Sequence, residues 1–194
     1  MAAAHAPAGQ RVLIDADALQ RTLHRIAHEI IEANADLDAV ALVGIHTRGV
    51  PLAQRLRRLI EEFSGVQVAL GTVDITFYRD DVQVRGGEAP IHPQPLVRAT
   101  RLDFPLEGRT CVLVDDVLYT GRTIRAAIEA LFDYGRPSRV QLAVLADRGH
   151  RELPIRPDYV GKNLPTARDE RVQVQLLEVD ELDRVLLVPG EAPE

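Results

Sequence analysis

Hydrophobic and polar positions fall into two periods along the chain. In "IDADALQRTLHRIAHEIIEAN", Leu19, Leu23, Ile26 and Ile30 recur at helical spacing, which predicts a helix capped by Asp15 or Asp17. "AVALVGI" (39–45) is an unbroken apolar run, as in a strand covered on both faces. "HTRGV" then turns the chain, and Pro51 opens a second helix, "PLAQRLRRLIEEF". "VQVALGTVDITFYRDD" alternates in part and predicts one or two strands. "RTCVLVDD" reads as a buried strand ending near Val114, "TIRAAIEALFDYG" as a helix closed by Gly135, and "RVQLAVLAD" as a strand. "RGHRELPIRPDYVGKNLPT" reads as an irregular polar loop, and "VQVQLLEVD" and "RVLLV" as short late strands.

Strand, helix, strand, helix, strand in that order implies an α/β fold, a mostly parallel sheet flanked by helices. Residues 1–10 read as a disordered tail and 11–194 as a single domain. Within it, 82–108 reads as a flexible arm, because Gly86 and Gly87 precede Pro90, Pro93, Pro95 and Pro105. Residues 147–168 read as a small hood over the sheet.

Composition narrows the classes. An apolar fraction of 46% supports an ordinary core, and 4% aromatics make that core aliphatic. The lone Cys111 excludes an internal disulfide and a cysteine zinc site. The start "MAAAHAPAGQ" lacks a basic leader and the chain lacks a membrane-length apolar run, so a cytoplasmic protein is expected. A net charge of −6 argues against a general nucleic-acid binder but leaves room for a local basic patch. Lys162 is the sole lysine.

Candidate chemistry lies where the strands end, because ligands of such sheets sit beyond the strands' carboxyl ends. After Val114 come Asp115 and Asp116, then the loop "VLYTGRT". Free N–H groups from Thr120 to Thr123 at a helix start bind phosphate, Gly121 admits a close anion, and the threonine hydroxyls add donors. Carboxylates accept hydrogen bonds from vicinal hydroxyls. Together they describe a ribose 5-phosphate footprint, the alternative being acids that merely cap a helix.

"VLVDDVLYTGRT" resembles the phosphoribosyl pyrophosphate signature of type I phosphoribosyltransferases. With "RIAHEIIE", "LVGIHTRGV", "DITFYRDD" and "GRPSRVQLAVLADRGHRELPIRPDYVGKN", the chain resembles the pyrimidine operon attenuation regulators with uracil phosphoribosyltransferase activity, the PyrR family. The resemblance implies the type I phosphoribosyltransferase fold and the reaction of uracil with phosphoribosyl pyrophosphate to give UMP and pyrophosphate. Mg2+ would ride on the substrate with few or no direct protein ligands. It implies catalytic roles for Arg48, Asp115 and Asp116. The implied substrate contacts add Thr47, Gly49, Tyr78, Arg79, Val117, Leu118, Tyr119, Thr120, Gly121, Arg122, Thr123, Arg148, Tyr159 and Val160. Tyr159 reads equally as a base-stacking ring or as a structural residue.

With Leu19 as origin, Arg21, His24, Arg25 and His28 lie at about 140–240° around the first helix, opposite the apolar stripe. Alone, this is a solvated face, and a zinc site on His24 and His28 lacks a third ligand. The resemblance implies instead a surface for pyrimidine-operon leader mRNA, bound in the presence of UMP. Its residues would be Arg25, His28, His150, Arg151, Arg156, Lys162 and Thr166, in a homodimer or higher homo-oligomer. A purine-type phosphoribosyltransferase without an RNA role is the alternative; it would share the phosphate loop and differ in the hood.

Overall fold

A computed structural model describes residues 9–76, Tyr78 and residues 99–190. Arg79, most of the expected arm and most of the expected tail lie outside these residues. The elements run β1 (Arg11–Ile14), α1 (Ala16–Ala33), β2 (Val40–Ile45), α2 (Gly49–Ser64), β3 (Ala69–Val73), β4 (Thr110–Leu118), α3 (Arg122–Phe132), β5 (Arg139–Asp147), β6 (Tyr159–Asn163), β7 (Arg171–Gln175), α4 (Leu177–Asp180) and β8 (Arg184–Val188).

The main sheet has the order β3-β2-β4-β5-β6 with every pairing parallel. Both faces are covered. Val40 and Leu42 pack with α1 and α2, whereas Ala41, Val43 and Ile45 pack with α3. That explains the unbroken apolar run of β2, all six residues of which are buried. Asp15 caps α1, its carboxylate accepting from the Ala18 N–H at 2.8 Å. The stripe Leu19, Leu23, Ile26 and Ile30 is buried as its spacing requires.

The structure departs from the sequence reading in six places. β1, where the sequence predicts no strand and sets Ile14 at a helix start, pairs antiparallel with β8, which also pairs with β7, forming a second, three-stranded sheet. α2 begins at Gly49, two residues before Pro51. β4 does not end at Val114 but continues to Leu118, because Asp115 and Val117 keep their pairing with β5. The supposedly irregular 148–166 segment contains β6, which pairs with β5 from Ala143 to Asp147. The sequence "LEVD" forms a helical turn, not a strand. Residues 99–108 of the expected arm are anchored: Arg101 and Thr72 exchange backbone hydrogen bonds at 2.9 Å, and Leu106 is buried in the core.

Candidate active site at the β2/β4 switch point

From β2 the chain steps to β3 on one side and to β4 on the other. Such a reversal opens a crevice beyond the carboxyl ends of the two strands. Both loops singled out in the sequence flank it.

The first loop, 46–49, is held close to β4. The His46 N–H donates to the Val73 carbonyl at 3.0 Å, and the His46–Thr47 peptide is cis. A side chain on Gly49 would meet the Val114 carbonyl oxygen at 2.2 Å and Asp115 Cα at 3.3 Å. Only glycine lets the start of α2 lie against the strand that carries the acids. Gly44 serves the same packing one strand over, its missing Cβ lying 2.6 Å from Val50 Cα.

On β4, Asp115 is buried, and its Oδ1 accepts from the Asp116 N–H at 2.9 Å. Asp116 Oδ1 in turn accepts from the Val117 N–H at 2.8 Å. Burial holds the Asp116 carboxyl above the usual carboxylate range, opposed by the Val117 N–H, Asp115 and the positive charge of Arg48. Acids placed mid-strand, not in a loop, have fixed directions, which suits them to hold hydroxyls in one orientation.

The second loop, Tyr119–Gly121, leads into α3 through Gly121 at φ +94°. The Thr120 carbonyl accepts from Glu152 and Leu153 N–H at 3.0 and 3.1 Å, and Arg122 pairs with Glu152 at 2.8 Å. Thr120 Oγ1 accepts from the Arg122 N–H at 3.4 Å. Thr123 lies in the first turn of α3. The loop and the hood segment 152–155 therefore form one unit at the positive end of a helix. Val117 and Leu118, also expected to touch substrate, are β4 residues, with Leu118 buried in the core beside α3.

Arg151 organises that unit. Its guanidinium donates to the carbonyls of Tyr119 (2.7 Å), Ile155 (3.1 Å), Gly149 (3.3 Å) and Leu118 (3.5 Å), and to Asp147 at 2.5 Å. Arg148, buried, stacks on the Tyr119 ring with 4.0 Å to the centroid and donates to the Ala167 carbonyl at 3.3 Å. His150 Nε2 lies 2.7 Å from the Thr166 carbonyl oxygen. Among the described residues, Arg148 Nε and Thr166 Oγ1 are buried without a hydrogen-bond partner.

Of the two readings left open for Tyr159, its burial favours the structural one. Tyr159 sits at the beginning of β6, paired with Ala143, four residues short of the rim at Asp147. Its ring is buried and its hydroxyl bonds with Asn34 and Gln141 at 3.1 Å, so it is a core residue and not a base platform. Val160 follows below the rim, and its carbonyl accepts from Arg25 at 3.0 Å. Tyr78 bonds through its hydroxyl to Asp133 beyond α3, which raises the phenol's pKa.

Of the basic set, Arg25 also donates to the Gly161 carbonyl at 2.5 Å and to Glu29, and Lys162 Nζ donates to the Leu13 carbonyl at 3.2 Å. Arg25 and Lys162 thus meet along the β6 edge. His28 is exposed but stacks on Phe63, ring centroids 4.2 Å apart, and Arg156 is exposed on the hood. His24 contacts the same Phe63 ring edge-on.

The residues missed in the sequence are acidic. Arg48 forks onto Asp180, and Arg55 onto Glu178 and Asp183. The signal lies in "LLEVDELD", whose acids look in the sequence like no more than a strand end. Among the described residues no cluster of three or more His, Cys, Asp or Glu is arranged to hold a metal, and no helix is long and apolar enough to cross a membrane.

A parallel sheet with mid-strand acids and a glycine-led loop into a helix start at its switch point is the arrangement expected of a phosphoribosyltransferase. The family model described as phosphoribosyl transferase domain matches residues 10–181. Solved structures agree at the level of fold: the hypoxanthine phosphoribosyltransferase of Trypanosoma cruzi (TM-score 0.67, 19% identity, 93% of this chain and 97% of that one) and the HGPRT-ase of Leishmania tarentolae bound to GMP (TM-score 0.67, 17% identity, 96% and 100%). Curated relatives named Bifunctional protein PyrR are similar throughout. That of Roseiflexus sp. (strain RS-1) is 59% identical over 172 residues, covering 89% of this chain and 91% of the relative. That of Thermus aquaticus is 59% identical over 175 residues, covering 90% and 93%. The chain belongs to the PyrR family of phosphoribosyltransferases.

Proposed function

We propose that this chain transfers the phosphoribosyl group of phosphoribosyl pyrophosphate to uracil, giving UMP and pyrophosphate. We propose further that in the cytoplasm, with UMP bound, it grips pyrimidine-operon leader mRNA as a homo-oligomer and regulates transcription by attenuation. The observation that carries the reading is the pairing of two mid-strand acids with the Gly121 loop across one crevice. Asp115 and Asp116 hold the ribose hydroxyls, residues 120–123 hold the 5′-phosphate, and Arg48 meets the pyrophosphate as a guanidinium fork.

A uracil nitrogen displaces pyrophosphate at the anomeric carbon. Positive charge grows on the ring and negative charge on the leaving group, so catalysis rests on positioning and fixed charge with no side-chain nucleophile. Asp116 in its ionised form would stabilise the developing cation. Arg48 neutralises the departing anion. Arg148 Nε and Thr166 Oγ1, lacking protein partners, give the hood polar groups for the base carbonyls. Mg2+ arriving with the substrate would neutralise pyrophosphate oxygens, and the rim acids suit water-mediated contact with it more than a dedicated cage.

Turnover is measured with uracil, hypoxanthine and guanine, each with phosphoribosyl pyrophosphate, for the wild type and Asp116→Asn. Uracil alone should be converted, and the variant should lose about 100-fold in kcat, the scale expected for one oriented electrostatic group. Conversion of hypoxanthine and not uracil assigns the chain to the purine class instead. Labelled leader RNA titrated with and without UMP tests the regulatory half, and equal affinity in both would remove it.

A further inference from the structure

Arg48 and Arg55 are seven residues apart, two turns of α2, and so project from one side of it. The segment from Leu176 to Asp183 lies against that side. Arg48 Nε donates to Asp180 Oδ2 at 3.1 Å and Nη2 donates to Oδ1 at 2.7 Å. Arg55 takes Glu178 and Asp183 together, with all four contacts between 2.6 and 2.9 Å. No residue of α4 is buried, and Leu177 and Val179 are 61% and 44% exposed. Leu176, just before α4, is buried in the core, and beyond it charge docks the turn.

Resting on the phosphoribosyl pyrophosphate reading above, we infer that Asp180 is an internal stand-in for the substrate's pyrophosphate. Its carboxylate occupies the Arg48 fork until the anion arrives, and it thereby sets the affinity of the anion site. A carboxylate and a phosphate each present two oxygens to the same guanidinium edge, so the edge used by Asp180 serves one of them at a time. Beside the pair, an open cleft of about 440 Å³ is lined by the chain neighbours of both residues, Thr47 and Val179, with His46, Val50 and Glu178. Release of Asp180 does not release the turn, because Arg55 keeps both of its acids. Asp116 adds a second negative charge near enough to act on Arg48. A multiply charged anion outcompetes a single carboxylate, at the expense of the pair it displaces.

Isothermal titration of magnesium-free pyrophosphate into the wild type, Asp180→Asn and Asp180→Glu tests the inference. Asp180→Asn should bind about three- to tenfold more tightly, as expected when a partly exposed competing charge is removed, and Asp180→Glu should bind like the wild type. Unchanged or weaker binding by Asp180→Asn overturns the stand-in and makes Asp180 a mere brace. A crystal structure of the wild type with pyrophosphate decides independently of how the variant folds. It should show Arg48 forked on the anion with Asp180 beyond about 4 Å, the ion-pair limit, and an intact Arg48–Asp180 fork beside bound anion refutes the exchange. A wild type that takes no pyrophosphate at Arg48 overturns the phosphoribosyl reading itself, and the stand-in with it.

Discussion

Gly49→Ala is the smallest change that should disable the crevice. The new Cβ would sit 2.2 Å from the Val114 carbonyl oxygen and 3.1 Å from its carbon. Non-bonded heavy atoms rest near about 3.5 Å, so the start of α2 or the end of β4 must retreat by roughly 1 Å. Neither side yields easily. Val114 is hydrogen-bonded within a central strand, and the loop before Gly49 is tied to β3 through His46. Overpacking of this kind costs about 1–3 kcal/mol, which for a chain of this size lowers Tm by about 2–10 °C. The kinetic loss should be larger than the stability loss suggests, because a displacement of ~1 Å at a positioning loop costs on the order of 100-fold. Steady-state kcat/KM with uracil and phosphoribosyl pyrophosphate, alongside a thermal melt, measures both. Gly65→Ala separates sterics from backbone strain. Gly65 has φ +73° and open space around its missing Cβ, so alanine there should cost about 1 kcal/mol with kcat/KM unchanged. A Gly49→Ala enzyme with wild-type kcat/KM would refute the claim that this close approach positions the site.

Arg151→Gln should lower Tm by several degrees, because it removes a donor from the carbonyls of Tyr119, Gly149 and Ile155 and from Asp147 at about 1 kcal/mol or more apiece. Lys162→Gln, which removes one exposed contact, should leave Tm within about 1 °C; equal melting of the two variants contradicts the role assigned to Arg151. Burial pushes the Cys111 thiol up to about 11, leaving about one thiolate in a thousand at pH 8. Native protein should therefore be inert to a disulfide thiol reagent and denatured protein should react once per chain, and fast native reaction would contradict the packing around β4.

Periodicity carries most of the fold. Leu19, Leu23, Ile26 and Ile30 reveal the face of α1, and the unbroken run at 40–45 reveals a doubly covered strand. The failures share a cause. β1 and β6 are edge elements of four or five residues with mixed burial, so no apolar pattern sets them apart from loops. Tyr159 illustrates the cost. Placed in a loop, it looks like a base platform; placed in β6, the register with Ala143 turns it into the core beside α1. The acids of β4 are legible in type but not in position, because strand pairing beyond Val114 is a tertiary fact. Asp180 is illegible for the same reason: its meaning depends on Arg48, 132 residues earlier.

The basic surface needs a different account from the one charge counting suggests. Arg25 and Arg151, both expected as phosphate contacts, direct their guanidinium groups at backbone carbonyls of β6 and the hood. A charge that holds backbone can still attract a polyanion, since field survives hydrogen bonding, but its geometry is then set by the protein and not by the RNA. Lys162 and Arg156 are exposed. Arg25 and Lys162 line the same β6 edge, while Arg156 and His150 belong to the hood that is bonded to the 119–121 loop. Any ligand that orders the loop at Thr120 would therefore also order Glu152, Leu153 and the hood beside them. Under the proposed function, UMP-dependent RNA binding would need no distant relay: the 119–121 loop and part of the basic surface are built on one hydrogen-bonded unit.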